Sequence, residues 1–156
     1  MSSETRYEID IRGASPADAP EIAELLHQLG YAVDAHQAGD RLALLAREPE
    51  NKVLVAADFD GSVIGLIALN SCIMLQQPRP VARITTLVVH DRARRRGVGR
   101  MLIEACAQTA RVAGCEVLEL TSSMRRVEAH AFYRSIGFAD SSLCFSRRLS
   151  EPLPAS

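Results

Sequence analysis

From Leu87 to Ala113 the chain reads LVVHDRARRRGVGRMLIEACAQTARVA, and this stretch constrains the fold more than any other. An apolar, β-branched run of the kind that fills a buried strand passes through a short polar turn crowded with arginine and continues as a long amphipathic helix. Gly97 and Gly99 fall where that helix begins, so no side chain covers its first free backbone N–H groups at the positive end of the helix dipole. A strand therefore feeds a helix through an anion cradle. Arg92, Arg94, Arg95, Arg96 and Arg100 ring the cradle with positive charge, which suits a diphosphate better than a neutral ligand.

Two familiar phosphate loops fail on this turn. A P-loop needs Lys-Ser or Lys-Thr after its glycines, and neither follows here. A dinucleotide-binding turn needs a third glycine and belongs to the first βα unit of a parallel sheet, whereas position 102 is leucine and most strand-like segments come earlier. The pattern that remains is R-x-x-G-x-G, Arg94 to Gly99, directly after a strand.

Composition narrows the class. With 156 residues, 47% of them hydrophobic, the chain suits one domain, expected over residues 1–150, with a frayed tail over 151–156. Its 18 basic and 19 acidic residues nearly cancel, so the arginine cluster is local and no nucleic-acid partner is expected. Cys72, Cys106, Cys115 and Cys144 form no C-x-x-C pair and read as reduced thiols, with Cys115 and Cys144 packed as small hydrophobes. No signal peptide opens the chain and no apolar run approaches the roughly 20 residues of a membrane span. A soluble, cytoplasmic protein without a membrane partner is expected.

Tyr7 to Arg12 alternates as a half-buried strand. Ser15 as N-cap, Pro16 at the first helical position and Asp18 near the dipole's positive end start a helix. Ile22, Leu25, Leu26 and Leu29 form its apolar side and Gly30 stops it. A second helix spans about Ala35 to Arg47, with Leu42, Leu44 and Leu45 apolar and Pro49 beyond its end. Lys52–Asp58 and Ser62–Asn70 are strands joined by Phe59-Asp60-Gly61, the second running on through Cys72 to Leu75. Val81–His90 makes the next antiparallel strand. After the central helix, Cys115–Thr121 is a strand, Arg126–Ile136 a helix, and Gly137-Phe138 begins a last strand that runs through Leu143 to Leu149. His27 and His36 read as surface or core-edge residues of the early helices.

The order β-α-α-β-β-β-α-β-α-β, together with Arg94–Gly99, resembles the GNAT family of N-acetyltransferases along nearly the whole chain, most closely from Ile84 to Phe138. The resemblance implies an α/β acyl-CoA N-acyltransferase fold with a mixed, mostly antiparallel central sheet flanked by helices. It implies acetyl-CoA as cosubstrate and no metal. By resemblance the main chain of Leu87, Val88 and Val89 pairs with the pantetheine arm, and the diphosphate rests on the backbone of Arg95, Arg96, Gly97, Val98, Gly99 and Arg100. Arg94 opens that motif.

A second stretch, EAHAFYRSIGF from Glu128 to Phe138, resembles the family's later motif ending in F-Y-x-x-x-G-F. Tyr133 matches the tyrosine that stands by the thioester sulfur in many members. A neutral phenol there offers a proton or hydrogen bond to a departing thiolate. Where the family usually has a cofactor-contacting asparagine, this chain has Arg126, and Arg125 and Arg126 together could clamp the cofactor's 3′-phosphate or an acidic substrate, or form an exposed charge pair.

An attacking amine must also lose a proton. Many relatives have a carboxylate at the positions of Thr85 and Thr86, but threonine cannot act as a base near neutrality. Glu119 is the leading substitute, followed by His90 and His130, with ordered water an equal alternative. The expected reaction is acetyl transfer to a primary amine of a small molecule by direct attack in a ternary complex, with the carbonyl polarised by the Val89 N–H. A protein N-terminal or lysine acetyltransferase and a non-catalytic CoA-binding module are the competing readings, and a homodimer through edge strands is open.

Overall fold

The computed structural model describes residues 8–155, so Tyr7 of the expected first strand and Ser156 of the expected tail lie outside the described residues. The elements in order are β1 (Asp10–Gly13), a 3-10 turn (Pro16–Asp18), α1 (Ala19–Leu29), α2 (Ala35–Leu45), β2 (Asn51–Ala57), β3 (Val63–Cys72), β4 (Val81–Val89), a second 3-10 turn (Asp91–Ala93), α3 (Val98–Val112), β5 (Val117–Leu120) and α4 (Val127–Ser135). They fall into two compact units, one up to Leu120 and one from Thr121 onward.

The first unit holds a 5-stranded sheet in the order β1-β2-β3-β4-β5. Neighbours are antiparallel except β4 and β5, which run parallel because α3 carries the chain back to the starting end of the sheet. The central strand β3 is buried from Val63 to Leu69, as a strand covered on both faces must be. One face packs on the first two helices: Val55, Leu66 and Val88, aligned across three strands, join Ile22, Leu25 and Ala38 in one core cluster. The opposite face receives α3. A Cβ at Gly65 would lie 2.9 Å from Leu102 Cδ1 and 3.0 Å from Val98 Cγ1, so the glycine lets the first turns of α3 sit directly on the sheet.

Ser15 and Pro16 open the 3-10 turn rather than α1, which begins one turn later at Ala19 with Asp18 as its N-cap residue. The Ser15 N–H donates to Asp18 Oδ2 at 2.7 Å, and Asp18 also takes both terminal nitrogens of Arg12 at 2.8 and 2.9 Å. Gly30, at φ 108°, closes the helix in the left-handed conformation. On α2 the buried residue is Ala38, with Leu42 and Leu45 half-buried. Leu44 is 56% exposed, because it stands two positions from Leu42 and so points away from the sheet. That helix ends at Leu45, and β3 ends at Cys72 rather than Leu75, leaving Ile73 and Leu75 in solvent.

The second unit contains α4 followed by irregular backbone, and the expected last strand is not formed. Leu143, Phe145 and Leu149 alternate as a strand would, but all three are exposed and the segment has no ladder partner among the described residues. Alternation can mark a strand; only a paired neighbour makes one. Cys144 is accordingly exposed rather than packed, as is Cys72, while Cys106 and Cys115 are buried. Burial pushes the Cys106 thiol up to about 11, so it is inert. Among the described residues, no helix is long and apolar enough to cross a membrane.

Candidate cofactor site and catalytic residues

The first unit builds an open strand edge that runs into an uncapped helix. β4 pairs with β5 only from Val81 to Ile84, opposite Val117 to Leu120. Beyond that point Thr85 to Val89 have β3 on one side and no strand on the other among the described residues. The irregularity that starts this stretch is a bulge at Thr85, whose hydroxyl donates to the Ala68 carbonyl at 3.3 Å.

Which main-chain groups face the open edge follows from the ladder. The His90 N–H donates to the Ile64 carbonyl at 2.8 Å, so His90 turns its backbone toward β3. Alternation gives Val88 the same direction and turns the N–H and C=O of Leu87 and Val89 outward. The open edge thus displays Leu87 and Val89, while Val88 is spent on β3 and supplies its side chain to the core.

Past His90 the backbone is held in an unusual shape. Arg95 has φ 65°, a left-handed conformation that is uncommon outside glycine, and Gly97 follows with φ 76° as the N-cap of α3. No side chain caps this helix, and its first internal bond is from Met101 N–H to the Gly97 carbonyl at 3.1 Å. The amides of Val98, Gly99 and Arg100 therefore have no acceptor within the helix and sit at the positive end of its dipole.

The turn is tied down at both ends. At its start, His90 is only 9% exposed. Its Nδ1 accepts from the Arg92 N–H at 3.2 Å, and its Nε2, which lies 3.0 Å from Gln28 Nε2, is hydrogen-bonded to Glu24 Oε1 on α1 at 2.9 Å. That hydrogen bond is the leading reason the Glu24 carboxyl lies below its ordinary range. Gln28 of α1 accepts from the Asp91 N–H at 3.0 Å. At the other end, Arg96 donates through both terminal nitrogens to Asp58, at 2.9 and 3.0 Å.

The ring of arginines expected around the cradle therefore divides. Arg96 is engaged by Asp58, Arg94 pairs with Asp91 at 3.0 Å, and Arg100 pairs along its helix with Glu104 at 3.3 Å. Arg92 and Arg95 have no ion-pair partner among the described residues and are the cations left for a ligand. Glu119 stands on β5 in register with Arg83 of β4, and its Oε1 accepts from Arg83 Nε at 2.9 Å. One carboxylate oxygen is thus already shared with a guanidinium.

In the second unit, Tyr133 lies in the last turn of α4 with its ring half-buried between Phe132 and Phe138, whose centroids are 5.6 and 6.0 Å away. Phe138 is drawn back by its N–H to the Tyr133 carbonyl at 3.0 Å, a return made across Gly137 at φ 98°. This explains the G-F pair that closes the motif. Burial raises the phenol above its ordinary value, against a smaller opposing effect of the Arg126 charge, so the proton stays on oxygen at neutral pH. Arg126 is the N-cap residue of α4 and makes no side-chain cap. His130 Nε2 donates to the Ser123 carbonyl at 2.8 Å and is thereby occupied. Ser122, which nothing in its sequence context singles out, has a buried hydroxyl with no partner among the described residues.

Residues 19–138 match the acetyltransferase (GNAT) family. The chain belongs to that family. Two GNAT relatives are each 32% identical to it: the aminoglycoside N(6′)-acetyltransferase type 1 of Stenotrophomonas maltophilia, over 83% of this chain and 86% of the relative, and the aminoalkylphosphonate N-acetyltransferase of Salmonella typhimurium strain LT2, over 90% and 91%. A solved structure from Agrobacterium tumefaciens strain C58 superposes with a TM-score of 0.81 at 29% identity, covering 90% of this chain and 99% of that one.

This GNAT protein is an acetyl-CoA-dependent acetyltransferase. Its own residues fit that cosubstrate: outward main-chain groups at Leu87 and Val89, an uncapped helix start, and unpaired cations at Arg92 and Arg95. When bound, the cosubstrate supplies an activated acetyl group. No group of three or more His, Cys, Asp or Glu side chains that could hold a metal occurs among the described residues.

Proposed function

We propose that this protein acetylates a primary amine of a small molecule by direct attack of the amine within a ternary complex. The observation that carries the reading is the open edge of β4 from Thr85 to Val89, leading straight into the uncapped, positively charged start of α3. An amide-bearing chain ending in a diphosphate is matched along its length by such a strip, because outward N–H and C=O groups pair with amides and helix-start N–H groups pair with phosphate oxygens. The Val89 N–H, directed to the open edge, is the group assigned to polarise the acetyl carbonyl.

Tyr133 is assigned as the acid toward the leaving thiolate, supported by the family motif around it and by a phenol that keeps its proton. A small-amine acceptor is supported by the two relatives, whose named substrates differ in charge: aminoglycosides are polycations and aminoalkylphosphonates carry an anion. The α1–α2 segment carries Glu21, Glu24, Asp34 and Asp40 against one arginine, Arg41. That balance favours a cationic amine.

The test is thiol release from acetyl-CoA in the presence of aminoglycosides, aminoalkylphosphonates, simple diamines and lysine-bearing peptides. Amine-dependent release with the small cationic acceptors is expected, and release with peptides alone would overturn the acceptor class. For Tyr133→Phe, kcat is expected to fall by about 10²-fold while the Kd for acetyl-CoA holds. An unchanged kcat removes Tyr133 from the chemistry.

A further inference from the structure

We propose that Asp58 is a positioning residue of the cofactor site, holding the turn from Arg94 to Gly97 in its binding shape by gripping Arg96. The proposal rests on the reading that acetyl-CoA binds at this turn, and it reassigns Arg96 from the ligand to the scaffold.

Asp58 is well built for that task. It follows the last residue of β2, its side chain is 13% exposed, and its two oxygens face the two terminal nitrogens of Arg96 as a parallel pair of charge-assisted hydrogen bonds. The acid is itself immobilised. Its Oδ1 accepts from the Phe59 N–H at 3.0 Å, its N–H donates to the Ser62 carbonyl at 2.8 Å, and its carbonyl accepts from the Gly61 N–H at 2.8 Å. Asp60 tightens the same hairpin by accepting from both the N–H and the hydroxyl of Ser62, at 2.9 and 2.6 Å. The Arg96 contact keeps the Asp58 carboxyl down at about 2, so the pair is charged at neutral pH.

Arg96 connects this anchor to the stretch that holds the one non-glycine residue with a positive φ among the described residues. It sits between Arg95, at φ 65°, and Gly97, at φ 76°. A non-glycine residue held left-handed is strained and persists only where its surroundings fix it. The His90–Glu24 contact fixes the start of the turn; the Asp58–Arg96 contact is the one that fixes its end, next to the free amides of α3. With two of its five N–H groups on the carboxylate and its charge offset there, Arg96 is a weaker partner for phosphate than the unpaired Arg92 and Arg95.

The experiment is calorimetric titration of the full chain with CoA and with acetyl-CoA, for wild type, Asp58→Asn, Arg96→Gln and the double variant. Amide hydrogen exchange is followed in the ligand-free proteins. Asn keeps the acceptor for the Phe59 N–H and removes the charge. Both single variants are expected to weaken CoA binding by about 5- to 20-fold, and the double variant by no more than the worse single one, since one contact is lost in all three. The loss should fall on the KM for acetyl-CoA rather than on kcat, Asp58→Glu should recover part of it, and exchange should quicken at residues 94–100 but not in α1.

Weakening by Arg96→Gln with none by Asp58→Asn would show that Arg96 meets the ligand itself, and would overturn the proposal. So would exchange that quickens equally across α1 and the sheet, the signature of a general loss of stability. Failure of the wild type to bind CoA would remove the cofactor reading and this proposal with it, whereas binding that all variants share unchanged removes the clamp alone.

Discussion

Gly65→Ala measures how tightly the catalytic scaffold depends on one absent side chain. Carbon atoms attract best at about 3.5–4.0 Å. The new Cβ would meet Leu102 Cδ1 at 2.9 Å, Val98 Cγ1 at 3.0 Å and Ala56 Cβ at 3.4 Å. Leu102 and Val98 are 0% and 1% exposed, and Val98, being β-branched, has little rotamer freedom with which to withdraw. Overpacking of this kind costs roughly 1–3 kcal/mol. Restricting the unfolded chain returns about 0.4–1 kcal/mol, since Gly65 has no left-handed φ that alanine would resist. The net loss expected is about 1–2 kcal/mol, or a Tm lower by about 2–8 °C for a domain of this size.

The same displacement acts on function, because Val98 opens the helix whose free amides form the cradle. CoA affinity should fall along with the Tm. Scanning calorimetry with and without CoA reads both, and Gly13→Ala is the control, as a Cβ there meets nothing within 4 Å. A Gly65→Ala protein that melts within a degree of wild type and binds CoA equally well would refute the packing argument.

Gly97→Ala isolates the conformational contribution, since a Cβ at Gly97 meets nothing within 4 Å and only its φ of 76° resists the change. A loss of about 1–2 kcal/mol and weaker CoA binding are expected by denaturant melting and calorimetry. Asp18→Asn removes the 6% exposed partner of Arg12, and because Arg12 is 36% exposed and can turn to water, the cost should be about 1–3 kcal/mol. The Arg12 hydrogen bond holds the Asp18 carboxyl below its ordinary value, so its stabilisation is present above the unfolded value near 4 and is lost as pH falls through the folded one. Melting curves across acid pH should therefore fall less steeply in Asp18→Asn than in wild type. For Glu119→Gln, the shared oxygen on Arg83 leads us to expect less than a tenfold drop in kcat/KM, with the acid limb of the pH profile kept. Loss of that limb would make Glu119 the base.

Much of the scaffold was legible because its signals are local. The three- and four-residue spacing of Ile22, Leu25 and Leu29 and the Gly30 stop act within one or two turns of chain and are found where the pattern puts them, while the Ser15-Pro16 start opens the 3-10 turn just ahead of α1. The same holds for the Asp60-Gly61 hairpin and for Gly97 at the start of α3. Leu44 and the stretch from Leu143 to Leu149 misled for a common reason: apolar composition shows that a residue could be buried, not that anything covers it. Among the arginines of the turn, composition could supply only the count of positive charges.

By itself, the order of residues determined the elements, the glycine turn and the family, since these depend on neighbours a few positions apart. Tertiary structure alone decided which charges are left over. Asp58 reaches Arg96 and Glu24 reaches His90 across separations of 38 and 66 residues, and the strand edge at Leu87 and Val89 is open only because β5 stops opposite Ile84. A free cation or a free amide is defined by the partner it lacks, and partners at that distance are assigned when the sheet closes.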